Sequence, residues 1–251
     1  MKLLYLCLKY AHEPTLKASH PMRYALYFTP PEDHDLTKAA GAWLGRNAFS
    51  GEAIPQNTAG PLSKDDISRM TEAPRRYGFH GTLRAPFYLS PGKDEAELAS
   101  AVDQFPKSHM PFAMPILKVG RLGPFFALIP DGDTTKLNQF TGEVLKAFEP
   151  FRAPLTEIDY QRRNPERLSE RQRNYLKDWG YPYIFDDFRF HMTLTGPIPD
   201  KEANVIEGVL QEFFADYLTS PLICNGPTLF VEKHAGGPFI AHSSAQKAER
   251  P

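Results

Sequence analysis

One ten-residue pattern occurs twice in this chain. Tyr77-Gly78-Phe79-His80-Gly81-Thr82-Leu83-Arg84-Ala85-Pro86 and Phe188-Arg189-Phe190-His191-Met192-Thr193-Leu194-Thr195-Gly196-Pro197 share Phe-His-x-Thr-Leu-x-small-Pro, with the two histidines 111 residues apart. In an extended segment successive side chains alternate between faces, so a histidine and the threonine two residues later point the same way. In the first copy Gly78, His80, Thr82 and Arg84 share a face and Phe79, Leu83 and Ala85 the reverse. In the second, Arg189, His191, Thr193 and Thr195 oppose Phe190, Met192 and Leu194. Each strand therefore has one apolar face suited to packing beneath helices and one polar face suited to a water-filled cleft.

Each copy sets a proton carrier beside a hydroxyl donor. Two copies brought together by pseudo-twofold packing of two half-domains would supply a general base, a general acid and two donors for an oxyanion. That is an inventory for phosphodiester chemistry without a metal. A single His-x-Ser/Thr triplet says little, since His242-Ser243-Ser244 fits it too. The weight lies in the duplication with matching neighbours. His80 and His191 are thus the candidate catalytic residues, and Thr82, Thr193, Arg84 and Arg189 the candidate phosphate ligands, the two arginines because parity puts them on the histidine face.

Paired His-x-Thr motifs about half a chain apart resemble the 2H phosphoesterase superfamily, which includes the LigT-like RNA ligases and cyclic phosphodiesterases. From about residue 23 to 231 the chain resembles one branch of it, phosphonate-metabolism proteins encoded beside carbon–phosphorus lyase genes. The stretches that carry this are Arg23-Tyr24-Ala25-Leu26-Tyr27-Phe28, Ala42-Trp43-Leu44-Gly45, Arg76-Tyr77-Gly78-Phe79-His80, Gly120-Arg121-Leu122-Gly123, Phe151-Arg152-Ala153-Pro154-Leu155 and Trp179-Gly180-Tyr181-Pro182-Tyr183. The resemblance implies an α+β, bilobal, duplicated fold, with two antiparallel sheets forming a central cleft and helices packed outside. It also implies phosphoesterase chemistry, read here as metal-independent hydrolysis of a small, cyclic ribose phosphodiester by two-histidine acid/base catalysis.

Other chemistries lack their signatures. There is no Gly-x-x-x-x-Gly-Lys-Ser/Thr loop to cradle a nucleotide phosphate, no Gly-x-Ser-x-Gly elbow and no paired Cys or His spacing for a metal. Asp33-His34-Asp35 cannot converge on one ion from regular structure, and acids there suit a helix start. No metal and no cofactor are expected. With 29 basic and 30 acidic residues and a net charge of −1, no global field attracts polyanions, so a small phosphorylated substrate is the expected partner rather than an obligate nucleic acid. Two cysteines, Cys7 and Cys224, make no disulfide framework and point to the cytoplasm. Nothing reaches the ~18 apolar residues of a membrane span.

Residues 1–21 read as an extension outside the fold, with Met22 an alternative start; residues 22–235 as one bilobal domain; and residues 236–251, small and polar, as a flexible tail. Alternation predicts a strand over 23–29, and helical spacing predicts helices over 33–46, 94–105, 134–148 and 201–217. A hairpin is expected across Gly123, a loop over 50–62, motif strands at 77–86 and 187–195, and a last strand over 228–231.

An insertion at about 151–183 contains Arg162, Arg163, Arg167, Arg171 and Arg173. Two readings stand: a basic lid over an anionic substrate, or a solvated helix whose arginines pair with Glu157, Glu166 and Glu170. Two other classes also stand beside the enzyme. One is an RNA-binding or RNA-end-processing module stacking bases on the aromatic 24–28 strand, although Arg76-Tyr77-Gly78-Phe79 lacks the usual RNA-binding order. The other is a catalytically silent scaffold, which leaves the doubled His/Thr pairs unexplained.

Overall fold

Alternating side chains on one strand organise the interior. In β1 (Arg23–Phe28) the side chains of Tyr24, Leu26 and Phe28 enter the main apolar core, while Ala25 and Tyr27 enter a smaller cluster with Ala48, Phe230 and Phe239. The computed structural model describes residues 22–244, so the 1–21 extension and the end of the expected tail lie outside the described residues. Following β1 come α1 (Asp35–Leu44), α2 (Lys64–Tyr77), β2 (Gly81–Phe87), α3 (Glu95–Gln104), β3 (Phe112–Ala113), β4 (Leu117–Leu122), β5 (Phe125–Pro130) and α4 (Thr135–Phe148). The second half adds α5 (Glu157–Gln161), α6 (Glu170–Trp179), β6 (Met192–Thr193), α7 (Asp200–Phe214), β7 (Ile223–Cys224), β8 (Thr228–Glu232) and β9 (Phe239–Ser244).

The fold is mixed, with an antiparallel sheet and helices. Instead of two separate sheets around a cleft, the main strands form one seven-stranded sheet in the order β4-β5-β6-β2-β1-β8-β9, with a two-stranded β3-β7 pair beside it. The two motif strands, β2 and β6, are neighbours near its middle and pair through Gly81 and Met192. A glycine is required there: a Cβ on Gly81 would overlap the Phe190 ring of the other copy. Helices α1, α2, α3, α4 and α7 contribute Trp43, Ile67, Leu98, Val144 and Leu210 to the core on one face of the sheet.

Three expectations need correction. The second motif strand is only two residues long, because Met192 and Thr193 alone find partners on β5 and β2. Residues 239–244 form the edge strand β9 rather than a loose tail, since Phe239 is fully buried against Tyr27 and Tyr77 and draws the polar residues after it onto β8. The segment before the first motif holds α2, which periodicity did not reveal: it buries only Ile67, Thr71 and Pro74, and an internal proline argues against a helix. Its start is secured by a capping box between Ser63 and Asp66. In the Asp33-His34-Asp35 run, His34 caps α1, its Nδ1 accepting from the Leu36 N–H at 3.1 Å. Among the described residues no helix is long and apolar enough to cross a membrane.

Candidate active site

The α2 helix ends at Gly78, whose positive φ of 77° turns the chain into the first motif. A side chain there would meet Ala48 Cβ at 2.7 Å and Arg46 Nη2 at 3.0 Å. The Arg46 guanidinium runs beneath this turn and donates to the carbonyls of Arg75 (2.8 Å), Arg76 (3.1 Å) and Phe239 (2.9 Å). It thereby ties the C-terminal end of α2 to β9, a favourable place for a cation. Burial lowers the Arg46 guanidinium to about 10.

The turn aims His80. Its Nδ1 lies 2.8 Å from the Gly78 carbonyl, two residues upstream, and its ring stacks on Tyr27 with centroids 3.8 Å apart. Burial among these rings, reduced by the Gly78 bond and reinforced by the nearby His191 and Arg46, pushes the imidazole down to about 4. His191 repeats the arrangement: its Nδ1 lies 2.8 Å from the Arg189 carbonyl, also two residues upstream, and its ring sits 5.7 Å from Phe125. A carbonyl only accepts, so Nδ1 carries the proton in both rings and Nε2 is left available.

A cavity of about 630 Å³ adjoins His80. Thr82 and Thr193, one from each motif copy, both line it, together with Tyr27, Arg84 and residues of the 151–183 segment. The volume lies within the range of small-molecule sites. His191 is close enough to weigh on the His80 charge but does not itself line this cavity. Arg84 lines it and is almost wholly buried, its Nη1 donating to the Leu145 carbonyl at 2.8 Å and its Nη2 paired with Glu149. Arg189 is exposed and outside the lining, because the chain before Met192 has left the ladder and parity no longer governs it. Thr195 is also withdrawn: its hydroxyl accepts from the Phe126 N–H at 3.0 Å and donates to the Gly196 carbonyl at 2.8 Å.

The arginine-rich segment divides between its two readings. Arg162 and Arg163 line the cavity, with Arg163 lying 5.4 Å over the Tyr181 ring. Arg171 pairs with Asp186 and Asp187, Arg167 with Glu166, and Arg173 donates to the Leu168 carbonyl, as solvated or structural side chains do. Sequence reasoning missed Arg23, Arg76 and Arg152 as cavity residues. The stretches Arg23–Phe28, 76–80 and 151–155, matched as wholes, held the only signal for them. A larger groove of about 1060 Å³ lies along α2 and residues 196–199 and carries neither histidine. Among the described residues no group of three or more His, Cys, Asp or Glu could hold a metal ion.

The aromatic strand proposed to stack bases is not available for it. Tyr24, Tyr27 and Phe28 are all nearly or wholly buried, whereas stacking needs exposed ring faces.

Comparison with known proteins adds a family and two relatives. Over 222 residues, or 87% of this chain, it is 35% identical to a protein of Janthinobacterium sp. (strain Marseille) named "Ribose 1,5-bisphosphate phosphokinase PhnN", covering 49% of that protein. A protein of the same name from Laribacter hongkongensis (strain HLHK9) is 32% identical over 220 residues, 87% of this chain and 50% of that protein. The chain thus spans about half the length of these curated relatives. Residues 82–240, a stretch from Thr82 in the first motif through the whole of the second to β9, match a family model described as "Protein of unknown function (DUF1045)", and the chain belongs to that family.

Proposed function

We propose that this chain is a phosphodiesterase that opens a small cyclic ribose phosphate with His80 and His191 as its acid/base pair. The observation that carries this reading is the repeated Nδ1–carbonyl bond, 2.8 Å in each motif, which leaves Nε2 available in the same tautomer on both rings, with His80 lining a cavity walled by Thr82 and Thr193 and His191 near enough to act on the His80 charge. His80, held neutral by burial, takes a proton from water as its oxygen attacks phosphorus. The bond from phosphorus to the ring alkoxide breaks, and His191 in its protonated form supplies that oxygen with a proton. Water's elements are thereby added across one P–O bond and a phosphomonoester is left. Thr82 and Thr193 donate to the non-bridging oxygens as their charge grows, while Arg84 neutralises the bound phosphate. Each proton transfer contributes about 10²–10⁴ in rate.

The name of the relatives supports a ribose phosphate as the substrate class. The kinase reaction in that name is not carried over to this chain, which spans about half of those proteins and has no phosphate-cradling Gly-x-x-x-x-Gly-Lys-Ser/Thr loop. A place in phosphonate metabolism, cytoplasmic and without a cofactor, follows from the same reading.

The test is hydrolysis of a panel of cyclic ribose phosphates and nucleoside cyclic phosphates, followed by phosphorus NMR, with and without a chelator. Turnover unchanged by chelation and lost in His80→Ala and His191→Ala is the expected result. No turnover of any member, or full turnover by either variant, would remove the two-histidine mechanism.

A further inference from the structure

The walls of the His80 cavity carry more positive charge than one phosphodiester can use. Six arginines line it: Arg23, Arg76, Arg84, Arg152, Arg162 and Arg163. Their acidic partners are three. Glu232, itself buried, is shared by Arg23 and Arg76; Glu149 is shared by Arg84 and Arg152; and Asp159 lies 3.6 Å from Arg162. Arg163 has no ion pair among the described residues and rests on the Tyr181 ring. Six guanidinium groups against three carboxylates leave three positive charges, and neutral His80 adds none.

Sharing one carboxylate between two arginines also leaves donors over. Arg84, a lining residue, is 2% exposed, and its buried Nε–H has no hydrogen-bond partner among the described residues. An unpaired donor on a buried guanidinium is costly unless an acceptor arrives. A phosphodiester brings one negative charge, whereas a phosphomonoester brings about −1.5 to −2 at neutral pH. Three surplus charges match the sum of the two and exceed either alone.

From this charge count we infer that the cavity binds a second phosphate, a phosphomonoester on the same sugar, and that the substrate is a phosphorylated cyclic phosphodiester rather than a bare one. The identification of the diester rests on the functional reading above; the second phosphate rests on the arginines. Arg163 from the 151–183 segment, with its guanidinium over Tyr181, is the group placed to take this phosphate, since no carboxylate competes for it. The pairs on Glu232 and Glu149 form the fixed cationic wall.

The experiment compares a ribose cyclic phosphate with the same compound bearing a phosphomonoester on another sugar carbon, and measures ribose 5-phosphate binding by calorimetry. The doubly phosphorylated compound should have a kcat/KM about 100-fold or more higher, because a site built to bind a group rejects the analogue lacking it. Arg163→Gln should cut that ratio by about tenfold or more and weaken ribose 5-phosphate binding in parallel. Equal kcat/KM for the two compounds, with ribose 5-phosphate binding untouched by Arg163→Gln, would overturn the second-phosphate site and leave the histidine mechanism standing. Ribose 5-phosphate binding that depends on Arg163, without hydrolysis of either diester, would support the second-phosphate site while the histidine mechanism falls.

Discussion

His80 and His191 hold the same bond, each with Nδ1 2.8 Å from the carbonyl two residues earlier in its own strand. Their surroundings then differ. His80 stacks on Tyr27 at 3.8 Å, while the His191 ring lies 5.7 Å from that of Phe125. Under the proposed mechanism, one orientation device in two environments separates the roles the sequence left open and assigns the base to His80. His191→Ala should therefore lower kcat/KM by about 10²-fold or more with little change in thermal stability. His80→Ala should lose comparable activity and some stability with the Tyr27 contact. Steady-state kinetics with thermal melts decide this, and near-normal turnover by either variant would speak against the pair.

The pH dependence follows from the lowered His80 value. The unfolded chain takes up a proton on this residue at ~6.5, the folded protein only at about 4. Between those values the unfolded state binds more protons, so the contribution of His80 to stability is complete above ~6.5 and is lost as the pH falls toward about 4. In kcat/KM the acidic limb set by His80 should likewise lie near 4 in the free protein. An NMR titration of His80 giving a midpoint near 6.5 would refute this assignment.

Thr82 and Thr193 line the cavity from different copies of the motif. Under the proposed mechanism their hydroxyls gain most when charge develops on the phosphate, so Thr82→Val and Thr193→Val should each lower kcat by about 10²–10³ with KM little changed. A rise in KM with kcat intact would mean that the hydroxyls bind only the ground state.

Gly81 has the tightest surroundings of the motif glycines, because Phe190 of the second copy packs where its Cβ would stand. Gly81→Ala should cost about 1–3 kcal/mol, as overpacking does, and should separate β2 from β6. Urea denaturation measures the loss. A fully stable Gly81→Ala variant would show that the two motif strands need not meet this closely.

Arg46 satisfies three backbone carbonyls at the end of α2 and beneath β9. Arg46→Met removes all three donors and should destabilise by roughly 2–3 kcal/mol, the cost of buried acceptors left unpaired. Because Gly78 rests against Arg46 and holds His80 Nδ1, the variant that remains folded should also lose kcat more than KM. An unchanged rate in folded Arg46→Met would confine Arg46 to stability.

The sequence by itself determined the local order of this protein. Period-two alternation set β1 and the face that carries His80 and Thr82, helical spacing set α1, α3, α4 and α7, and the repeat singled out His80 and His191 as candidates, because these are properties of neighbouring residues. Tertiary contacts decided the rest. Parity failed at Arg189 because β6 begins pairing only at Met192, and the end of the described chain became a strand because Phe239 is drawn into the cluster around Tyr27. The expected separate sheets are one because β6 pairs with β5 on one side and β2 on the other. The cationic cavity was hidden for the same reason: Arg23 and Arg76 reach Glu232, and Arg84 reaches the Glu149 that Arg152 pairs with locally, across separations no local pattern records. Charge is nearly balanced over the whole sequence, and only folding concentrates the excess where an anion would sit.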